Sequence, residues 1–447
     1  MPRVSLDAIR SCLEGAIPAT VATCSADGIP NATYVSQMQY VDARHVALSF
    51  QFFNKTRENI LANPQVTALV IDPVTAASYR LELLYLRTET EGALFQSMKA
   101  KLAGIASHTG MSGVFKLQGA DVYRVLLVER VPGPELARPA PPRNLLNALR
   151  NSSARLSACS ELCVLFDQVL ADLLSEFQIP YALLMMADEQ ARSLYTVGSR
   201  GYKASGVGSE IAFGDGVIGV AAEHRCAIRI SHMTMEYRYG CAGREAARAQ
   251  ALPLHAEIPF PGLPAPHSQL AVPILAGGRL LGVLCVESME ELRFSYDDED
   301  ALMTLASQLG LATLRLQQDD EAPQAGSAAA AAALAGQTGP VLEVRHFPQD
   351  HSVFIAGDYL IKGVAGAILW KLLRQYSGSG RSEFSNRELR MAGDLGLPEV
   401  SDNLEARLIL LQRRLLDRCP QLAIEKTGRG QFRLGVAATL KLVEAEA

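Results

Sequence analysis

Between Arg407 and Arg433 the sequence sets seven basic residues, Arg407, Arg413, Arg414, Arg418, Lys426, Arg429 and Arg433, against two acids, Asp417 and Glu425. Such a cluster neutralises phosphates, and a guanidinium or amide on a helix also reaches base edges in a major groove. Arg407, Gln412, Arg414 and Arg418 are the candidates for that work. Arg429, between Gly428 and Gly430, adds a phosphate or minor-groove contact from a hairpin tip at little steric cost. The competing reading is a solvated basic face, or one that docks another protein. Cysteines supply a second chemistry. Cys159 and Cys163 stand four apart on an expected helix face and, with Cys226 and Cys241, offer four thiolates for a metal or Fe–S cluster. Against this, unpaired cysteines commonly serve as small apolar core residues, so the metal assignment is none, and Cys285, in the middle of a strand, is expected in the core. His232, His255 and His267 raise the same question for a metal or haem, against the reading of surface-loop histidines.

Elements must position these groups, and composition bounds them. The chain has 447 residues, a net charge of −5, 49% apolar and 20% charged residues. That length points to roughly three domains at about 150 residues each, and the composition excludes a disordered or fibrous chain. Mean acidity excludes a uniformly basic nucleic-acid coat, so the basic run is a local feature. Eight cysteines without C-x-x-C pairs exclude a disulfide scaffold and zinc ribbons. No stretch approaches the roughly 18 apolar residues of a membrane span. Arg3, Asp7, Arg10 and Glu14 interrupt the first segment where a signal peptide needs an apolar core. A cytoplasmic protein with reduced thiols is expected.

Two seams divide the chain. Residues 131–142 hold five prolines, a stiff connector. Residues 319–340, with the alanine run Ala328–Ala333, form a tether, either flexible or partly helical. The expected domains are therefore 1–131, 145–318 and 341–437. The middle one holds 13 basic residues against 19 acidic ones, so the acidity of the chain belongs there.

Segment 1–131 is strand-rich, with runs at 18–24, 30–39, 45–50, 66–72, 79–90 and 121–131, and with Asp27-Gly28 as a hairpin signal. Many strands with few helices suggest a small barrel. Asp27-Gly28-Ile29-Pro30, Ala47-Leu48-Ser49-Phe50 and the run from Asn54-Lys55-Thr56-Arg57 to Asn63-Pro64 resemble the FMN-binding split barrel of the pyridoxamine 5′-phosphate oxidase-like superfamily. That resemblance implies a flavin phosphate held by Lys55, Thr56 and Arg57, with Thr33 and Ser36 on the ring or ribityl chain. Thr56 stands where many relatives carry lysine, and the further arginines of true pyridoxamine phosphate oxidases are absent, so no catalytic residue is assigned. A cofactor-free dimerisation barrel is the alternative.

Segment 145–318 opens with one long apolar-periodic helix, expected to run from Leu145 to Phe177. Ile211-Ala-Phe-Gly-Asp-Gly-Val-Ile-Gly-Val220, Ser268-Gln-Leu-Ala-Val-Pro-Ile-Leu275, Arg279-Leu-Leu-Gly-Val-Leu-Cys-Val-Glu-Ser288 and Phe294-Ser-Tyr-Asp-Asp-Glu299 follow in order. This order resembles a GAF domain, and implies a small ligand of unknown identity held between the sheet and the loop 233–267. Leu302, Leu305, Leu309, Ala312 and Leu316 fit either a coiled-coil seam or packing on the sheet.

Segment 341–437 reads as short strands, three helices and a Gly-rich hairpin, the parts of a winged helix. It resembles the effector domain of bacterial response regulators, which implies double-stranded DNA as partner. The fold class expected is thus multidomain α+β: split β-barrel, GAF α/β sensor domain and winged helix. Together these readings describe a homodimeric, ligand- or redox-sensing transcriptional regulator. The alternatives are a flavin- or haem-dependent oxidoreductase and a protein-binding signalling adaptor.

Overall fold

Gly28 sits at φ +81° in the turn where the Ser25 N–H donates to the Ile29 carbonyl at 2.9 Å. This is the expected hairpin, joining β1 (Ala19–Cys24) to β2 (Pro30–Val35) in antiparallel register from Ala19–Val35 to Cys24–Pro30. The computed structural model describes residues 4–13, 17–35, 38–50, 55–92, 94–95, 97–99, 117–138, 143–230, 258–321, 341–392 and 404–445. The run expected as one strand over 30–39 is two: β2, and β3 (Met38–Asp42), which pairs with β4 (His45–Phe50). With β5 (Gln65–Ile71), β6 (Ser78–Glu89) and β7 (Gly119–Val131) they form a seven-stranded sheet ordered β2-β1-β5-β6-β7-β4-β3, so the two halves of the expected strand lie at opposite edges. Helix α1 (Lys55–Ala62) follows β4. The proline-rich connector lies back on this unit where it is described: Leu136 N–H donates to the Thr75 carbonyl at 2.8 Å and Arg138 pairs with Asp72 at 2.6 Å.

The long helix expected over 145–177 is broken. Helix α2 (Leu145–Ala158), capped by Asn144, ends at Cys159, and α3 (Leu162–Ser175) begins beyond Glu161, both junction residues being extended at ψ 131° and 142°. The turn brings Arg155 of α2 to Asp172 (2.8 Å) and Glu176 (2.7 Å) of α3, an exchange of helix length for a paired charge at a buried carboxylate. A six-stranded sheet follows, built from β8 (Tyr181–Asp188), β9 (Ser193–Arg200), β10 (Glu210–Ala212), β11 (Ile228–Ile230), β12 (Ser268–Ala276) and β13 (Arg279–Ser288) in the order β10-β9-β8-β13-β12-β11. Helix α4 (Gly216–His224) covers one face of it. Helices α2, α3 and α5 (Tyr296–Glu321) cover the other. Leu302, Leu305, Leu309 and Leu316 are buried in that core, so the leucine stripe packs within its own unit.

In the last segment β14 (Val341–Phe347), β15 (Ser352–Ile355) and β16 (Asp358–Ile361) precede α6 (Gly363–Ser379). Next come β17 (Glu383–Ser385), α7 (Asn386–Met391) and α8 (Leu404–Arg418). The hairpin β18 (Leu422–Gly428) and β19 (Gln431–Val436) joins β17 in one sheet. Ser385 caps α7 in a reciprocal box with Glu388, and Leu404, Leu408, Leu411 and Leu415 of α8 are buried. One strand lies beyond the expected boundary at 437. Strand β20 (Thr439–Glu444) pairs in parallel with β14 and completes a β16-β15-β14-β20 sheet. Behind it Trp370 stacks on His346, ring centroids 4.7 Å apart.

Candidate functional site

Three places carry chemistry. The first is the corner where α1 leaves β4. Lys55 is exposed at the first helical position. Thr56 Oγ1 accepts from Asn31 Nδ2 at 2.9 Å, which ties the first turn of the helix to β2. Thr33 shares the inward face of β2 with Asn31, while Ser36 lies outside the described residues. Arg57 turns away from this corner. Its guanidinium donates to Asp121 (2.5 Å) and Thr88 (2.7 Å), lies over the Phe50 ring at 4.5 Å, and is largely buried. Thr88 in turn donates to Asp121 at 2.6 Å. Burial raises the Asp121 pKa more than Thr88 and Arg57 lower it. Arg57, expected at the phosphate, here pairs with a buried carboxylate and braces the ends of β4, β6 and β7.

The second place is the end of β13. Glu287 is 2% exposed. It accepts from Tyr202 (2.9 Å), from the Leu263 N–H (2.8 Å) and from Gln269 (2.5 Å). Burial raises its pKa, the three hydrogen bonds offsetting only part of that effect. It joins the sheet to segment 258–267, the described end of the loop expected to face a ligand. Sequence reasoning did not single it out, although an acid directly after the apolar run Leu280–Val286 and still within the strand was a visible signal.

Residues 161–313 match the GAF domain family, and residues 5–123 match the family described as pyridoxamine 5′-phosphate oxidase. The chain carries both domains. Solved structures similar to parts of it include the GAF domain of a phosphoenolpyruvate-protein phosphotransferase from Coxiella burnetii, 21% identical, covering 39% of this chain and 96% of that one at TM-score 0.31. Another is free methionine-R-sulfoxide reductase from Neisseria meningitidis, 19% identical over 39% of this chain and 91% of that one, TM-score 0.30. An FMN-binding protein from Syntrophomonas wolfei subsp. wolfei is 18% identical over 30% and 88%, TM-score 0.25. No curated protein matches this chain.

Within the GAF domain the candidate thiolates do not converge. Cys159 and Cys163 pack on the helix-pair side of the sheet and Cys226 on the α4 side. The break after Ala158 also removes the shared helix face of Cys159 and Cys163, and Cys241 lies outside the described residues. Burial raises the pKa of Cys159 and of Cys163. Among the described residues no cluster of three or more His, Cys, Asp or Glu forms a metal cage. Cys285 is fully buried beneath α4, as expected. His267 is described and its backbone N–H pairs with the Ser288 carbonyl at 2.8 Å; His232 and His255 lie outside the described residues.

The third place is α8, and here the sequence reading needs correction. Arg407 is 6% exposed and donates to Asp188 of the GAF domain at 2.9 Å. Arg414 is 3% exposed, and donates twice to the Leu360 carbonyl of its own unit at 2.9–3.0 Å. Neither stands on a solvated face: Arg407 lies against the GAF domain and Arg414 against β16. Gln412, Arg418 and Arg429 are exposed. Arg413, beside them in the sequence, reaches Asp167 (2.8 Å) and the Val197 carbonyl (2.6 Å) of the GAF domain.

Proposed function

We propose that this protein is a ligand- or redox-responsive transcriptional regulator. In this reading the barrel and the GAF domain are inputs and the C-terminal unit is a winged helix that binds double-stranded DNA. The observation that carries the reading is the C-terminal order: a capped helix, a basic helix, then a hairpin with Arg429 exposed at its tip. Arg418, Gln412 and Arg429 stand ready for phosphate or groove contacts, Arg407 contributes once its present partner is released, and Arg414 holds α8 to β16.

For the barrel, the donor set fits one phosphate of a flavin such as FMN. Lys55 supplies the charge and Thr56 a hydroxyl, beside the first amides of α1, and Arg57 positions the strands that frame the corner. A bound flavin would supply one- or two-electron redox chemistry, and these residues would only anchor it. Ile29, Tyr34 and Leu61 are exposed around the same corner, apolar surface that a second copy of the barrel would cover, consistent with a homodimer. The cytoplasm is the matching compartment.

The test is an absorbance spectrum of anaerobically purified protein, followed by DNA retention as salt is raised. A yellow sample that loses flavin about tenfold more readily in Lys55→Ala than in the wild type, and DNA affinity that falls steeply with salt, are the expected results. Steady NAD(P)H turnover without DNA affinity would favour the oxidoreductase.

A further inference from the structure

We infer that the acidic flank of the GAF domain is an intramolecular docking surface for α8, and that docking there excludes the binding of DNA by the same helix. The second half rests on the DNA-binding reading above; the docking itself does not.

Charge complementarity is the first support. Among the described residues, ion pairs that join the two units are Arg407–Asp188 (2.9 Å), Arg413–Asp167 (2.8 Å), Lys362–Glu210 (3.3 Å) and Lys426–Glu161 (3.8 Å). In each the cation belongs to the C-terminal unit and the anion to the GAF domain. A seam formed by incidental contact would mix the polarities, whereas this one presents carboxylates to the arginines as a nucleic acid presents phosphates.

Close approach is the second. Gly198 on β9 lies under Arg413, where a Cβ would come within 2.8 Å of the guanidinium and 2.9 Å of Leu170. Gly208, at φ +89°, lies at ordinary contact distance from Leu410 and Arg414, 3.6 and 3.5 Å from where a Cβ would sit, its tight neighbour being Ile258 on its own side of the seam. The helix thus beds onto a strand and a loop at positions without side chains. Arg407 also lies over the Tyr195 ring, 5.6 Å from its centroid. The apolar cores of the two units run together across this seam.

The seam is nevertheless built to part. A cleft of about 150 Å³, partly open to solvent, remains in it, lined by Glu161 before α3, by Leu162 and Cys163 of α3 and by Leu408, Ile409 and Gln412 of α8. Solvent there takes the place of dispersion contacts that a closed core would make. Asp167 is 70% exposed, so its pair is screened by salt. Arg407 cannot donate to Asp188 from a buried position and also contact a phosphate, which makes the two states alternatives.

The experiment uses the full chain and its Asp167→Asn/Asp188→Asn variant, which keeps side-chain volume while removing both carboxylate charges. Radius of gyration by solution scattering reports docking, and fluorescence anisotropy with a mixed-sequence duplex reports DNA affinity. The expected result is a larger radius together with at least tenfold tighter DNA binding. An unchanged radius with unchanged affinity overturns the docking. A wild type that already binds DNA, with an expanded variant that binds no tighter, overturns the exclusion alone. An expanded variant that binds no duplex, like its parent, overturns the exclusion through failure of the DNA-binding reading, and leaves the docking standing on the scattering data. Far-UV circular dichroism of the variant matching the wild type excludes unfolding as the source of expansion.

Discussion

Glu287 and Asp72 are both enclosed carboxylates, and their surroundings drive them in opposite directions. Burial raises Glu287 above the usual carboxylate range despite its three donors. At Asp72 burial also opposes the charge, but the Thr75 and Val74 backbone N–H groups, the Ser11 hydroxyl and Arg138 outweigh it and hold the pKa low. The pH dependences therefore differ in sign. Stability from Glu287 is fully present below the ordinary glutamate range and is lost as pH rises through its raised value. Stability from Asp72 is present above the ordinary aspartate range and is lost as pH falls through its lowered value. Melting temperature followed from pH 3 to 8 is expected to lose part of its alkaline-side decline in Glu287→Gln and part of its acid-side decline in Asp72→Asn. The Asp72→Asn change is also expected to cost about 1–3 kcal/mol at neutral pH, because the asparagine gives its donors a weaker acceptor. At this scale the sequence was least legible. Lys55 and Thr56 were singled out by motif, but Arg57 reads the same whether it faces a ligand or Asp121, since Arg57 and Asp121 are 64 positions apart and only the sheet brings them together.

Elements were more legible, because periodicity and turn chemistry are local. The Asp27-Gly28 hairpin, the Ser385 cap and the leucine stripe of α8 all follow from neighbouring residues. What failed was long-range. Nothing near residues 36–37 announces that β2 and β3 belong to opposite sheet edges. The α2–α3 break serves pairs between Arg155 and residues 17 and 21 positions on, and β20 is held by a strand 98 positions away at Lys441–Glu343. Gly366 shows how tertiary contact overrides propensity. In an exposed helix interior, alanine would gain about 1 kcal/mol over glycine, but a Cβ here would lie 2.0 Å from the His351 carbonyl oxygen. Gly366→Ala is expected to lower stability by about 2 kcal/mol, as overpacking does, seen as an earlier melt of the C-terminal unit.

At the scale of the whole molecule charged contacts join the units, beside the apolar core that the GAF domain shares with the C-terminal unit. Arg10, beside the barrel, pairs with Asp300 at 2.7 Å and lies between the rings of Tyr40 and Tyr296, 4.8 and 4.6 Å from their centroids. Tyr296 also donates to the Leu13 carbonyl at 3.0 Å and receives Arg229 of β11 on its ring at 4.2 Å. The barrel thus touches the GAF domain next to an edge strand of its sheet, a direct contact between the two domains. Arg10→Ala is expected to remove about 1–2 kcal/mol of this coupling, an exposed ion pair and two cation–π contacts. Limited proteolysis should then cut the 132–142 connector several times faster, with α2 to α5 still resistant. The proline run and the alanine-rich tether, the latter outside the described residues from 322 to 340, divide the sequence into three segments; the mutual docking was not legible, since net charge per segment predicts attraction without saying which faces meet.

The stack of Trp370 on His346 has a practical consequence for watching this protein work. The chain has a single tryptophan, buried behind β14 in the unit that carries α8, so red-edge-excited emission reports that unit alone. The barrel and the GAF domain, with tyrosines only, stay dark at that wavelength. An imidazole in face-to-face contact quenches indole most strongly when protonated, so emission should dim as acid titrates His346, whose pKa burial and His351 lower. The molecule therefore carries its own optical label on the unit that holds α8.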